Sequence, residues 1–152
     1  MGTIQVAAER PIGAPAERVY RYIADFNEHH FRFLPPAFSD LRVERGGYGA
    51  GTVITFKVTV AGRTQAYCTE VEEPEPGRVL VESDPRVGTV TTFTVAPEGD
   101  GSRVKIETTW RVGGIGAPVQ RLLAPPIMRR LYRDELERLD RYARALEPAA
   151  GA

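Results

Sequence analysis

Residues 52–71 decide the fold, and they read TVITFKVTVAGRTQAYCTEV. Ile54, Phe56 and Val58 alternate with polar neighbours, and a period of two is that of a β-strand whose two faces meet different surroundings. The pair Ala61-Gly62 interrupts this alternation with a tight-turn signal. The alternation then resumes, and one face of the second strand carries Gln65, Tyr67, Thr69 and Val71. This stretch therefore predicts a β-hairpin.

The same alternation extends on both sides of the hairpin, from Ser39 to Val112. The segments PEPG at 74–77 and PEGDG at 97–101 mark further turns. Further strands are predicted at Thr3–Ile12, Arg78–Asp84, Thr89–Val95 and Arg103–Val112. Short strands joined by tight turns form an antiparallel meander, so we predict a curved antiparallel sheet of about seven strands.

Helical periodicity occurs at three places. Apolar residues recur every three or four positions in Pro15–Phe26, and a second short helix is predicted at Asn27–Leu34, before Pro35-Pro36. A helix of almost thirty residues is predicted to begin at Ala117 or Pro118, with Pro125-Pro126 either kinking it or marking its true start. Its predicted apolar stripe is Leu123, Ile127, Leu131, Leu139, Tyr142 and Leu146, with Leu136 beside it.

Composition limits the class of protein. The 152 residues suit one domain, predicted at 1–147 with a frayed tail at 148–152. Twenty basic and twenty acidic residues cancel, which gives no general attraction for nucleic acids. No run of about 18 apolar residues occurs, and the N-terminus lacks the apolar core of a signal peptide, so we expect no integral membrane association and a cytoplasmic location.

The sequence gives no sign of a cofactor or metal. Cys68 is the only cysteine, which excludes an intrachain disulfide and a thiolate cage. The glycines of Gly46–Gly51 precede a strand rather than a helix, so they do not form a phosphate loop. We therefore expect neither a cofactor nor a bound metal.

One sheet and one long helix must bury their apolar faces against each other, which makes the fold class α+β. A helix about 10 Å across does not fill a sheet of this width if the sheet curves around it. Bulky inward-facing candidates are Phe56, Tyr67, Phe93 and Trp110. Either these side chains fill the remaining space or a cavity is left, and the residues alone leave both outcomes open.

The order of strand, short helices, meander and long terminal helix resembles the START-like (SRPBCC) superfamily with its helix-grip fold, and within it the polyketide cyclase/dehydrase and lipid-transport branch. The resemblance extends from Thr3 to Leu146. The segments that carry it are Ile12–Tyr20, Ile23–Phe26, Gly49–Thr52, Thr69–Pro74 and Gly101–Val104. It implies a cavity between the sheet and the terminal helix that takes up an apolar ligand.

Three functions remain open at this point. The first is binding of an apolar or amphipathic small molecule such as a lipid, a polyketide or an aromatic metabolite. The second is a polyketide cyclase or dehydratase that uses the same cavity, and the third is a protein-interaction module whose cavity is incidental. The oligomeric state also stays open. The expected cavity wall and lid comprise Phe26, Phe31, Leu34, Phe38, Ile54, Phe56, Val58, Tyr67, Thr69, Phe93, Ile106, Thr108, Trp110, Ile127, Arg130 and Leu131.

Three residues are candidates for acid–base chemistry. His29 and His30 are the only side chains whose ordinary pKa lies near neutrality, and adjacent helical positions point about 100° apart. Asp134 lies at the edge of the predicted apolar stripe, where burial would raise the pKa of its carboxyl. Each also has a surface interpretation: an ordinary helix end for the histidines and an ion pair with Arg130 or Arg138 for Asp134. The hydroxyls of Tyr67, Thr69 and Thr108 each need a hydrogen-bond partner, which is a ligand oxygen, a neighbouring strand or water.

Overall fold

A computed structural model describes residues 2–146 of the chain. The predicted domain limit at residue 147 and the predicted frayed tail lie outside these described residues. The elements are β1 (Gly2–Ile12), α1 (Ala16–Ala24), a 3₁₀-helix (His30–Phe33), β2 (Phe38–Arg45), β3 (Val53–Val60), β4 (Arg63–Glu75), β5 (Val79–Asp84), β6 (Thr89–Glu98), β7 (Gly101–Val112) and α2 (Ala117–Ala145).

The seven strands form one antiparallel sheet in the order β1-β7-β6-β5-β4-β3-β2. Strands β2 to β7 are therefore a meander, and β1 joins its far edge by pairing with β7 from Gly2 opposite Val112 to Ile12 opposite Ser102. The hairpin predicted at Ala61-Gly62 joins β3 to β4, with Val60 opposite Arg63. The predicted fold class is confirmed: a curved antiparallel sheet holds a long C-terminal helix in the helix-grip manner.

The predicted second short helix is smaller than expected. Asp25 ends α1, and its Oδ1 accepts hydrogen bonds from the backbone N–H groups of Asn27 and Glu28. This turn delays the next helical segment to His30–Phe33, which is a single 3₁₀ turn. The preference of Leu34 for an extended backbone before Pro35 then ends it.

The predicted apolar stripe of α2 is partly wrong. Leu136 and Leu139 are buried as predicted, but Leu123, Ile127 and Leu146 are exposed. The buried residues of α2 are Tyr132, Glu135, Leu136, Leu139, Asp140 and Ala143. The stripe was predicted from hydrophobicity alone. It does not coincide with the buried face, because two residues of that face, Glu135 and Asp140, carry carboxyl groups. The helix begins at Ala117, so Pro125 and Pro126 lie inside it.

One of those carboxyls attaches α2 to the first strand. Asp140 Oδ1 accepts a hydrogen bond from the Gly13 N–H at 2.8 Å, and Oδ2 accepts one from Arg10 at 3.2 Å. Arg144 donates to Oδ1 at 3.1 Å from the next turn of the helix. Burial acts to raise the pKa of Asp140, but these donors outweigh it and hold the pKa below its ordinary value. The C-terminal half of α2 is thereby held against the end of β1.

The described residues include no helix that is both long enough and apolar enough to cross a bilayer.

Candidate ligand cavity

A cavity of about 430 Å³ lies between the inner face of the sheet and the N-terminal half of α2. The aromatic side chains that could have filled this space stand around it instead. Its wall comprises His30, Leu34, Phe38, Phe56, Val58, Val60, Arg63, Gln65, Tyr67, Thr69, Glu82, Val87, Thr89, Thr91, Phe93, Ile106, Thr108, Trp110, Gln120, Ala124, Met128, Tyr132 and Glu135. Its volume falls within the range of roughly 300–1,000 Å³ that is usual for small-molecule pockets.

The structure brings most of the predicted wall together. The predicted residues that line the cavity are Leu34, Phe38, Phe56, Val58, Tyr67, Thr69, Phe93, Ile106, Thr108 and Trp110. Their side chains meet because alternate residues of neighbouring strands point to the same face of a sheet. Phe56 stacks on Tyr67 across β3 and β4 with ring centroids 5.3 Å apart. The ligand-binding role of these residues stays a prediction.

Two predicted wall residues are buried in the core instead. Phe26 stacks on the far side of the His30 ring, with centroids 4.5 Å apart, and is 1% exposed. Ile54 lies on the same face as Phe56 but nearer the loop of residues 46–51, which hydrogen-bonds to the end of α1. Neither side chain belongs to the cavity wall.

Four other predicted wall residues lie away from the cavity. Phe31 and Ile127 are exposed, and Arg130 and Leu131 do not reach the wall. On α2 the error comes from the offset stripe, because each residue turns the side chain by about 100°. Gln120, Ala124 and Met128 occupy the inner positions that were assigned to Ile127 and Leu131. Arg63, not Arg130, is the arginine of the wall.

His30 is the predicted acid–base candidate that the structure places in the cavity wall. Its Nδ1 lies 2.6 Å from the carbonyl oxygen of Ile23. A carbonyl oxygen only accepts hydrogen bonds, so Nδ1 carries the proton and Nε2 has a free lone pair. Burial lowers the pKa of His30 to about 4, although the bond to Ile23 opposes this shift. The ring is therefore neutral at pH 7.

Two carboxyl groups that were not predicted from the sequence line the same cavity, and one of them lies beside this imidazole. Glu82 is 7% exposed, Glu135 is 2% exposed, and both line the cavity. Glu82 Oε2 lies 3.9 Å from His30 Nε2. Burial raises the pKa of Glu82 to about 8, and burial together with the charge of Glu82 raises that of Glu135 well above its ordinary value. At pH 7 the contact between His30 and Glu82 therefore joins a neutral imidazole to a neutral carboxyl group.

Glu82 could have been found from the sequence. In β5 the inner face carries Leu80, Glu82 and Asp84, because these alternate with the outer residues of a period-two strand. A carboxyl group at an inner position is a signal for a perturbed pKa. Glu135 could not be found in this way, since the predicted stripe of α2 had the wrong orientation.

Hydroxyl groups form a second polar strip on the wall. Thr108 Oγ1 lies 2.6 Å from the Tyr132 hydroxyl and 2.8 Å from Thr91 Oγ1, so its partners are protein groups. Thr69 differs, because its Oγ1 is buried and makes no hydrogen bond within residues 2–146. An unpaired buried hydroxyl costs about 1–3 kcal/mol, so Thr69 is the wall residue with most to gain from a ligand oxygen.

The other two acid–base candidates lie outside the cavity. His29 Nδ1 is 2.6 Å from the Tyr142 hydroxyl, and its ring packs on Tyr22. Asp134 pairs with Arg138 at 3.1 Å, with both side chains more than a third exposed. The surface ion pair considered for Asp134 is therefore correct, and its predicted position at the cavity is wrong. Asp25, Glu28 and His29 bring ligand atoms within 4.8 Å of one another, an arrangement common without a metal.

Comparisons with known proteins agree with this geometry. The sequence model of the family described as polyketide cyclase/dehydrase and lipid transport matches residues 3–144. No match is found among curated proteins. Among solved structures, the KanY protein is 29% identical with a TM-score of 0.84, covering 95% of this chain and 99% of that one. The protein TTHA0849 from Thermus thermophilus is 25% identical with a TM-score of 0.79, covering 95% and 100%.

The fold is shared more widely. An aromatase/cyclase from Streptomyces sp. R1128 is 17% identical with a TM-score of 0.77, and the alignment covers 99% of each chain. At this level of identity the likeness concerns the fold alone.

Proposed function

Because the chain belongs to the polyketide cyclase/dehydrase and lipid transport family, whose fold implies binding of a hydrophobic ligand, we propose that it binds an apolar or amphipathic small molecule in the cavity between the sheet and α2. A lipid, a polyketide or an aromatic metabolite fits this description. The observation that carries the proposal is the cavity of about 430 Å³ with its predominantly apolar wall. Burial at about 25 cal/mol per Å² of apolar surface supplies the affinity. We expect this binding to take place in the cytoplasm.

The polar part of the wall narrows the ligand class. Neutral Glu82 is able to donate a hydrogen bond, burial also disfavours the charged form of Glu135, and Thr69 Oγ1 has no hydrogen-bond partner within residues 2–146. A ligand carbonyl or hydroxyl oxygen satisfies such donors. A ligand carboxylate would instead lose its hydration when it entered the apolar cavity, which is unfavourable. Its negative charge would also raise the pKa values of the two glutamates further. We therefore infer that the ligand is largely apolar with an uncharged oxygen at its inner end.

Filling the cavity tests this proposal. Ala124→Phe places an aromatic ring in space that a ligand would occupy. It is expected to weaken binding of the uncharged dye N-phenyl-1-naphthylamine at least about tenfold, because each contact that the dye's rings lose costs about 1–2 kcal/mol. The measurement is a fluorescence titration of the dye. Ala66→Phe is the matched control, since Ala66 is exposed and outside the cavity wall. Equal dye affinity in both variants, or no dye binding to the unchanged protein, would refute the proposal.

A second candidate function is favoured by the juxtaposition of His30 with Glu82. A base with a free lone pair beside a protonated acid is the arrangement that dehydration requires. With a β-hydroxy ketone, Nε2 removes a proton from the carbon next to the carbonyl, and its electrons form the new double bond. Glu82 protonates the departing hydroxyl, which leaves as water. His30 Nε2 and Glu82 Oε2 are 3.9 Å apart, so the proton on His30 then passes to the Glu82 carboxylate through one water molecule, which restores both groups.

Solvent exchange distinguishes this enzyme from a carrier. In D₂O, the protein is expected to catalyse deuterium exchange into the acetyl group of 2-acetylnaphthalene, and His30→Asn is expected to slow this at least about 100-fold. The rate is followed by proton NMR. His29→Asn is the control, because His29 bonds Tyr142 outside the cavity. Exchange no faster than in buffer would leave binding as the function, whereas equal loss in both variants would exclude His30 as the base.

A further inference from the structure

The first half of α2 exposes an unusual amount of apolar surface. Ile115, just before the helix, is 100% exposed, and Leu122 is 74% exposed. With Val119, Leu123, Pro126 and Ile127 they form what we call the outer face. Isolated exposed leucines are ordinary, but a contiguous apolar patch of this kind marks an interaction surface.

The outer face lies opposite the cavity. Residues 119, 122, 123, 126 and 127 follow the three- and four-residue spacing of one helical face. The cavity residues Gln120, Ala124 and Met128 of the same turns follow that spacing on the other side. A helix with two apolar sides is normally buried on both. Here one side closes the cavity and the other has no covering element within residues 2–146.

The charged residues in and around the outer face are all positive as far as Arg133, and Asp134, which follows, is paired with Arg138. Between Glu107 and Asp134 the sequence contains five arginines and no acidic residue, although the whole chain is balanced. Arg130 and Arg133 extend the outer face by one further turn, and both are exposed. No salt bridge among the described residues involves any of these five arginines. An apolar helical face with unpaired arginines is the pattern of a helix that lies in the interface of an anionic bilayer.

We propose that the outer face of α2 docks on the surface of an anionic lipid bilayer, with the helix lying flat and its apolar side chains entering the headgroup boundary. A second copy of the chain fits less well, because a symmetric contact through this face would bring the positive charges of both copies into one interface. A folded acidic protein would need to offer a groove to fully exposed side chains on a convex helix, whereas acyl chains adapt to them. Docking would bring the helical turns that close the cavity to the membrane surface. This inference goes beyond the proposed function and does not depend on it.

Vesicle flotation tests the inference. The protein is expected to float with vesicles of phosphatidylcholine and phosphatidylglycerol at about 7:3, weakly with phosphatidylcholine alone, and less as salt is raised. Arg130→Gln with Arg133→Gln is expected to weaken binding to the anionic vesicles about 25-fold, because one interfacial arginine contributes roughly fivefold. Leu122→Ser with Leu123→Ser is expected to weaken it at least about tenfold. All four positions are on the surface, so the fold should persist, as circular dichroism would verify.

Matched controls separate this docking from general charge and hydrophobicity. Arg42→Gln with Arg45→Gln removes two exposed arginines from β2, and Val90→Ser removes an exposed apolar side chain from β6. Neither is expected to change flotation. Failure to float with the anionic vesicles at low salt, or equal loss in controls and variants, overturns the proposal. So does a dimer in light scattering that Leu122→Ser disrupts without any vesicle binding, or capture of an acidic protein in place of vesicles.

Discussion

At pH 9, Glu82→Gln is expected to raise the free energy of unfolding by on the order of 3–5 kcal/mol. The cause is the ionisation of a buried carboxyl group, whose pKa burial raises from 4.5 to about 8. In the unfolded chain this group loses its proton near pH 4.5, whereas the folded protein retains it until about pH 8. Ionisation therefore favours the unfolded chain increasingly as pH rises between these values. Glutamine has nearly the same shape and does not ionise, so the penalty disappears.

The pH dependence of this stability gain shows whether ionisation of Glu82 causes it. The gain from Glu82→Gln is expected to be complete above pH 8 and to vanish below about pH 4.5, in denaturant titrations at a series of pH values. His30 contributes the opposite slope, because its lowered pKa makes the unfolded chain bind a proton first as pH falls from 6.5 towards 4. Glu70→Gln is the control on an exposed position of β4 and is expected to change stability by less than about 0.5 kcal/mol. A gain equal at pH 4 and pH 9 would show that packing, not ionisation, is responsible.

Asp140→Ala is expected to lower the free energy of unfolding by about 2–4 kcal/mol at pH 7. The carboxylate bonds the Gly13 N–H, Arg10 and Arg144, and the substitution leaves the Gly13 donor without its partner. Because the folded pKa of Asp140 is depressed, its stabilisation is present above the unfolded pKa of 3.8 and is lost as pH falls through the folded pKa. The difference between wild type and variant should therefore shrink in strong acid.

Asp134→Ala provides a matched control on the same helix. Each aspartate has an arginine four residues later, but the Asp134 side chain is 38% exposed and that of Asp140 is 5% exposed. An exposed pair of this kind contributes less than about 0.5 kcal/mol. Similar losses in the two variants, measured by urea denaturation, would contradict the anchoring role of Asp140.

Alternation predicted the strands well because it is a local property. Ile4, Val6 and Ala8 of β1 are buried as their period of two requires, and so are Ile106 and Thr108 of β7. The turn residues at 61–62 and 97–101 then left little choice in how the strands connect. Most of the cavity wall follows from this alternation, since Phe56, Tyr67 and Trp110 lie on one face of the sheet.

The rotation of α2 about its own axis does not follow from the local sequence pattern. Hydrophobicity placed Leu123 and Ile127 inside, yet the structure places Gln120, Ala124 and Met128 there. The helix is positioned by Asp140 through its bonds to β1 and the following turn, which no periodicity within α2 expresses. The same rotation turned Asp134 out to solvent and Glu135 into the cavity.

The sequence by itself determined the α+β class, the meander of β2 to β7 and the face of the sheet that the helix covers, because alternation and turn chemistry act between near neighbours. Only the tertiary structure decided that β1 pairs with β7, that a cavity remains, that His30 meets Glu82 in its wall, and that α2 keeps an apolar face outside. These outcomes depend on where residues far apart in the sequence come to lie. The shifted pKa values and the contacts of these side chains arise only when the chain has folded and has excluded water from around them.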